Sequence, residues 1–220
     1  MEFGKAFTYL FEDEEWVTKL LIGGVLASIP IVNLVALGYL LKVLKNVAEG
    51  VERPLPKWDD FADYFIKGVM SFLGVLVWAI PLLVLVILIA ILGAVTGYNA
   101  DTERAASFIV MCIWGLNCLS GLYGLFMALV VPAALTQYAV SNEFGAFFRL
   151  GTIFKYITSN LGNYIIAILL AGVAQLIASI GVILCFIGVV FTGFWASLVN
   201  SHLLGQVYRV SEQPSSEPAA

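Results

Sequence analysis

Ser201 and His202 stand side by side, and His202 is the single histidine of the chain. A hydroxyl next to an imidazole holds two of the parts of acyl transfer. Neighbouring residues on a helix point about 100° apart, however, and no acidic residue lies within a turn to orient the ring. A Ser/His/Asp arrangement is therefore not expected. Cys112, Cys118 and Cys185 all sit in apolar stretches, with no C-x-x-C pair and no histidine at ligand spacing. They read as packing residues, and no metal is expected. No glycine-rich phosphate loop is present, so no cofactor is expected, and the basic residues form no patch suited to nucleic acid. What remains are amides and one imidazole inside apolar segments. Asn117, Gln175, Asn200 and His202 are the candidate intramembrane polar positions, with Asn33 and Gln137 beside them. Side chains of this kind mostly bond to neighbouring helices, so a structural role is expected ahead of substrate binding. The chain is not expected to be an enzyme.

The elements that carry these residues are set by composition. Of 220 residues, 61% are hydrophobic and 12% charged, about half the charge of an ordinary soluble domain. Uncharged runs extend over Leu20 to Leu41, Gly68 to Ala100, Ala105 to Asn142 and Tyr156 to Tyr208. Each exceeds the ~18 residues of a membrane-spanning candidate. The last would reach roughly 80 Å as one helix, against a hydrocarbon core of ~30 Å, so it must turn back, with Ser179 to Gly181 as the expected turn. No ionised residue stands near the middle of a clear span, which argues against proton or sodium coupling.

The start of the chain does not read as a cleavable signal, because "EDEEW" (Glu12 to Trp16) stands where a basic region should precede the apolar core. Phe3, Phe7, Leu10 and Phe11 share one helical face, which predicts an amphipathic helix over Met1 to Phe11 lying in the membrane interface. The acidic cluster suits the positive end of the helix that follows. Residues 211–220 read as a disordered polar tail.

Placement of Lys and Arg orients the spans. If Pro30 breaks the first run into two short helices returning to one side, Arg104 stands alone and the other ten basic residues share the opposite side. A single continuous span kinked at Pro30 divides them eight against three. The first arrangement is preferred, with both termini cytoplasmic.

Two segments match within the chain. "FIKGVMSFLG" (Phe65 to Gly74) aligns with "IFKYITSNLG" (Ile153 to Gly162), and "GLFMALVVPAALTQ" (Gly124 to Gln137) with "GFWASLVNSHLLGQ" (Gly193 to Gln206). Each copy, over 61–141 and 147–209, reads as a surface helix, a span, a turn and a returning span, after a hairpin-like segment over 16–50. The returning spans carry small residues every four positions: Gly193, Ser197, Ser201 and Gly205 in one, Gly124 and Ala128 in the other. Such faces let two backbones approach closely, and Ala167, Ala171, Gln175 and Ser179 form a similar stripe. A pore lined by these faces is the competing reading. The predicted fold is all-α: one transmembrane domain over 1–210, with five to six membrane segments in helical hairpins and interfacial amphipathic helices.

The most ornate stretch is "RPLPKWDDF", Arg53 to Phe61. Pro54 and Pro56 hold the chain extended after a helix ending near Gly50. Trp58 suits the headgroup level. Asp59 is expected to cap a surface helix over Asp60 to Lys67, with Phe61, Tyr64 and Phe65 toward the lipid boundary, and the alternative is that Asp59 and Asp60 receive a cation or a partner. "GYLLKVLKNVAEG" (Gly38 to Gly50), then "PLPKWDDF" and Gly68, resembles the signature of an uncharacterised prokaryotic membrane family, domain of unknown function 4013. That family commonly has Glu where Lys57 stands and Gly where Ala62 stands. The resemblance implies a multi-pass cell-membrane protein of a bacterium or archaeon and transfers no catalytic residue. Two functional classes follow. One is a non-enzymatic module in the lipid bilayer that packs with itself or with a membrane protein partner, and the other is a transporter or channel for an uncharged or lipid-like solute.

Overall fold

The computed structural model describes residues 1–99, 103–183 and 187–212. Among these residues every regular element is helical. In chain order they are α1 (Lys5–Thr8), a 3-10 turn (Tyr9–Glu12), α2 (Trp16–Ser28), α3 (Asn33–Ala48), α4 (Phe61–Asn99), α5 (Glu103–Ser141), a second 3-10 turn (Phe144–Phe148), α6 (Leu150–Ser159), α7 (Leu161–Ser179), a third 3-10 turn (Ile180–Ile183) and α8 (Ile187–Glu212). Helices over Phe61–Ala94, Ile109–Ser141 and Leu161–Ser179 are long and apolar enough to cross a membrane. Two compact units divide the chain: Met1–Leu73 with Pro132–Ala220, and Gly74–Val131.

The first apolar run is broken at Pro30. Proline forces its predecessor out of the helical region, and Ile29 is extended at φ −97°, ψ 119°. Ile31 then takes φ 71°, a left-handed conformation that a β-branched side chain resists. The 13 residues of α2 and 16 of α3 each rise only about 20–24 Å, short of a ~30 Å hydrocarbon core. The two helices pack on each other, so the run forms a helical hairpin rather than one kinked rod.

In the first unit α8 touches α1, α2, α3, α6 and α7. It buries Phe194, Leu198, Val199, Leu203 and Val207. Gly205 lets it approach α3, since a Cβ there would lie 2.7 Å from the Leu44 carbonyl oxygen. Gly23 of α2 accommodates the Phe194 ring, 2.0 Å from where a Cβ would stand. The long uncharged run turns back after Ser179, where α7 gives way to the 3-10 turn. Thr192 of α8 donates a 2.8 Å bond to the Ala178 carbonyl and closes that turn.

Several expectations are corrected. The N-terminal segment is no extended surface helix: α1 has four residues, and Ala6, Tyr9 and Leu10 are buried, with Tyr9 and Leu10 in the hydrophobic core of this unit. The surface helix expected over Asp60 to Lys67 is the first part of α4, which continues unbroken to Asn99. On α7 the buried residues are Tyr164, Ala167, Ala174 and Ala178, whereas Gln175 and Ser179 are exposed. A strict four-residue stripe drifts off the face of a helix with 3.6 residues per turn. Ser211 and Glu212 belong to α8, and the rest of the expected tail lies outside the described residues.

In the second unit, Tyr123 of α5 donates a 2.7 Å bond to the Trp78 carbonyl of α4. The Trp78 and Phe126 rings lie 6.0 Å apart. Many of its described large apolar side chains are exposed, among them Ile87, Ile91, Trp114 and Leu122, which is compatible with helices that face lipid.

Candidate functional site

The ornate stretch folds into a set of ties among four segments of the first unit. α3 ends at Ala48, and Gly50 takes φ 79°, which a glycine adopts without strain. The chain then passes through Pro54, Leu55 and Pro56 without regular secondary structure. Its backbone carbonyls are free to accept, and side chains from both flanking helices use them. Asn46 Nδ2 donates to the Pro54 carbonyl at 2.8 Å, Tyr39 Oη to Pro56 at 3.0 Å, and Tyr64 Oη to Lys57 at 2.8 Å.

Trp58 joins the loop to α2. Its indole N–H donates to the Lys19 carbonyl at 3.2 Å, and its ring stacks on Tyr39 with centroids 3.9 Å apart and planes 11° from parallel. Tyr64 meets Tyr39 edge-on at 5.7 Å. Trp58 is thus half-buried against the core. Tyr64, expected at the lipid boundary, is 3% exposed, while Phe61 and Phe65 are exposed.

One ion pair underlies the loop. Lys19 Nζ donates to Asp13 Oδ2 at 2.7 Å and to the Leu55 carbonyl at 3.3 Å, with both charged side chains largely buried. Asp13 Oδ1 accepts the backbone N–H of Glu15 at 2.9 Å, just before α2. Tyr9 also belongs to this core, and its burial raises the pKa of its hydroxyl. The nearby Arg53–Glu14 pair, 3.6 Å apart and exposed, adds little.

Beneath the ties, α3 and α4 cross at van der Waals contact of their backbones. A Cβ on Gly38 would lie 1.8 Å from the Tyr64 carbonyl oxygen, and one on Gly68 would lie 1.8 Å from that of Leu34. These glycines flank the signature, and their reciprocal fit explains why both stand there. The cap of α4 is Asp60, whose Oδ1 accepts from the Asp63 N–H at 3.2 Å. Asp59, expected in that role, is exposed, because α4 begins one residue later than expected.

The polar positions within apolar segments do not share one environment. Asn117 belongs to the second unit, is exposed, and donates to the Ile113 carbonyl of its own helix at 2.8 Å. Gln175 is exposed and Asn200 half-buried. His202 is 5% exposed, stacks on Tyr9 at 4.2 Å and lies 3.0 Å from Gln206 Nε2. Ser201 is buried too. His202 lines a polar cavity of about 510 Å³. A second cavity of the unit, about 660 Å³ and mainly apolar, is lined by Pro30, Ile31, Leu37, Phe72, Gly193 and Ser197 among others. Gln175 and Asn200 line neither.

Of the small residues expected at helix contacts, Gly205 makes one. A Cβ on Gly193 or Gly124 would meet nothing within 4 Å, and Ala128 is exposed. Cys118 is exposed and Cys112 half-buried, so neither is a fully packed core residue, and Cys185 lies outside the described residues. Among the described residues no three His, Cys, Asp or Glu side chains gather as metal ligands. Sequence reasoning missed Lys19 and Asp13. The signal available was a lone lysine at the edge of an apolar run, directly after an acidic cluster.

Comparison with known proteins agrees with the signature. The family described as "Protein of unknown function (DUF4013)" matches residues 22–187. An uncharacterised protein, MJ1189, of Methanocaldococcus jannaschii is 28% identical over 159 residues, which make up 71% of this chain and 52% of that protein. The chain therefore spans about half the length of this curated relative. No solved structure matches the chain.

Proposed function

We propose that this chain, which belongs to the DUF4013 family of proteins of unknown function, is a non-enzymatic, multi-pass membrane module that packs with itself or with a membrane protein partner. One observation carries the reading: the signature side chains are engaged within the chain. Tyr39, Asn46 and Trp58 of the signature, with the neighbouring Tyr64, donate to backbone carbonyls of the loop or of α2, and Gly38 and Gly68 serve a helix crossing. A signature built this way maintains a shape rather than a reaction. In this reading the hairpin α2–α3 is re-entrant from the cytoplasmic side of a prokaryotic cell membrane, and two repeated copies follow it. α4 with α5, and α7 with α8, form the hairpins of these copies, giving five to six membrane segments with both termini cytoplasmic.

The packing surface in this reading includes the open small-residue face at Gly124 and Ala128. The test is the molecular mass of the full chain in detergent across a dilution series, with and without Gly124→Leu. A dimer or larger assembly that Gly124→Leu weakens supports the module. A monomer at every concentration that also retains no membrane protein on extraction would sink it. The apolar cavity beside Pro30 favours the second reading, a carrier for a lipid-like solute, which uptake into vesicles containing the purified chain would reveal.

A further inference from the structure

The polar cavity of about 510 Å³ in the first unit has a lining that the packing role does not use. It holds two cationic side chains, Lys5 and Arg209, and two anionic ones, Glu2 and Glu52. Lys5 and Glu2 approach only to 4.0 Å and are exposed, a pair worth little in water. Glu52 and Arg209 have no ion-pair partner among the described residues. The guanidinium of Arg209 is seated over Gly50, 3.1 Å from where a Cβ would stand, so the bare glycine makes room for it. His202 and Gln206 form the polar wall behind, with Gln206 further held by both backbone groups of Glu2 at 3.0 and 3.1 Å.

The presence of both signs of charge selects the ligand. A simple anion entering this cavity would face two carboxylates, and a simple cation would face a guanidinium and an ammonium. A molecule carrying both signs pairs with each. The cavity also lies within the size range of small-molecule sites, about 300–1,000 Å³. Its place in the chain fits a headgroup: Arg209 is the first charged residue after the uncharged run from Tyr156 to Tyr208, and Gly50 closes α3. Charged side chains that follow apolar runs stand where lipid headgroups lie.

We propose that this cavity binds a zwitterion bearing a phosphate and an ammonium group, the chemistry of an ethanolamine phospholipid headgroup. Arg209 and Lys5 receive the phosphate, which a guanidinium engages through two parallel N–H bonds. Glu52 and Glu2 receive the ammonium. The assignment goes beyond the packing role and can fail while that role stands.

The test is equilibrium binding of short-chain phosphatidylethanolamine to the full chain in detergent. Phosphatidylglycerol of the same chain length and soluble phosphoethanolamine serve as competitors. Saturable binding is expected, with phosphatidylglycerol the weaker ligand. Arg209→Gln and Glu52→Gln should each weaken binding at least about tenfold, the loss of one or more charge-assisted hydrogen bonds. Both residues are exposed, so an unchanged melting temperature shows that the variants fold. Lys155→Gln, on the exposed side of α6, should leave binding unchanged. Competition by phosphoethanolamine equal to that of the lipid supports the site and identifies a free solute as its source. Equal affinity for phosphatidylglycerol, or no effect of either variant in a folded protein, overturns the proposal.

Discussion

At the scale of single residues, the Lys19–Asp13 pair makes the sharpest demand. Both charges are largely out of water, and a buried ion whose partner is removed is left without compensation. Lys19→Met alone should therefore cost about 3–5 kcal/mol, whereas Lys19→Met with Asp13→Leu should recover most of that loss. Unfolding of Lys19→Met, Asp13→Leu and the double variant in a fixed detergent measures it. An additive double variant would show that the pair is not coupled. Trp58 illustrates what sequence reasoning could and could not reach. Its place in a rigid joint follows from Pro54 and Pro56, but its stacking on Tyr39 depends on which helix folds back onto the loop. Tyr64 was hidden for the same reason: an aromatic near a helix start looks alike whether it meets lipid or Tyr39.

At the scale of elements, glycines divide into those that set a helix crossing and those that do not. Gly38→Ala and Gly68→Ala each drive a methyl into a backbone carbonyl of the facing helix. Each should cost at least ~3 kcal/mol, as overpacking that only a backbone shift relieves. Gly193→Ala has open space around it and should be neutral or stabilising by up to ~1 kcal/mol, the difference in helix propensity. Thermal unfolding of the three variants separates the classes, and equal effects would remove the crossing from the account. The bend after Pro30 permits an opposite prediction. Ile31 is 71% exposed and holds φ 71°, so Ile31→Gly gives up little buried surface while relieving about 1–2 kcal/mol of left-handed strain. A higher melting temperature is expected, and a lower one would mean that Ile31 packs against something in the membrane. The break itself was legible because a proline inside an apolar run constrains its own neighbours. The turn after Ser179 was legible because one helix of that length cannot fit a bilayer. The continuity of α4 through Lys67 was not, since a surface helix and the first turns of a long one carry the same apolar spacing.

At the scale of the whole molecule, every regular element among the described residues is helical, and three helices have the length and apolarity to cross a membrane. The direction in which the chain threads is the step on which the module reading depends. Side-chain ties hold the loop between α3 and α4 to the start of α2 and bring both ends of the first hairpin together, which supports the proposed return of the run over 20–41 to the side it left. The measurement that tests this most directly is cysteine labelling in intact cells, with single reporters replacing Glu14, Arg53, Asp101 and Glu143 in a chain lacking Cys112, Cys118 and Cys185. Labelling at 101 alone, with 14, 53 and 143 reacting only after the membrane is permeabilised, is the predicted result. Opposite accessibility at 14 and 53 would mean that the first run crosses the membrane, and would contradict the hairpin on which the architecture rests.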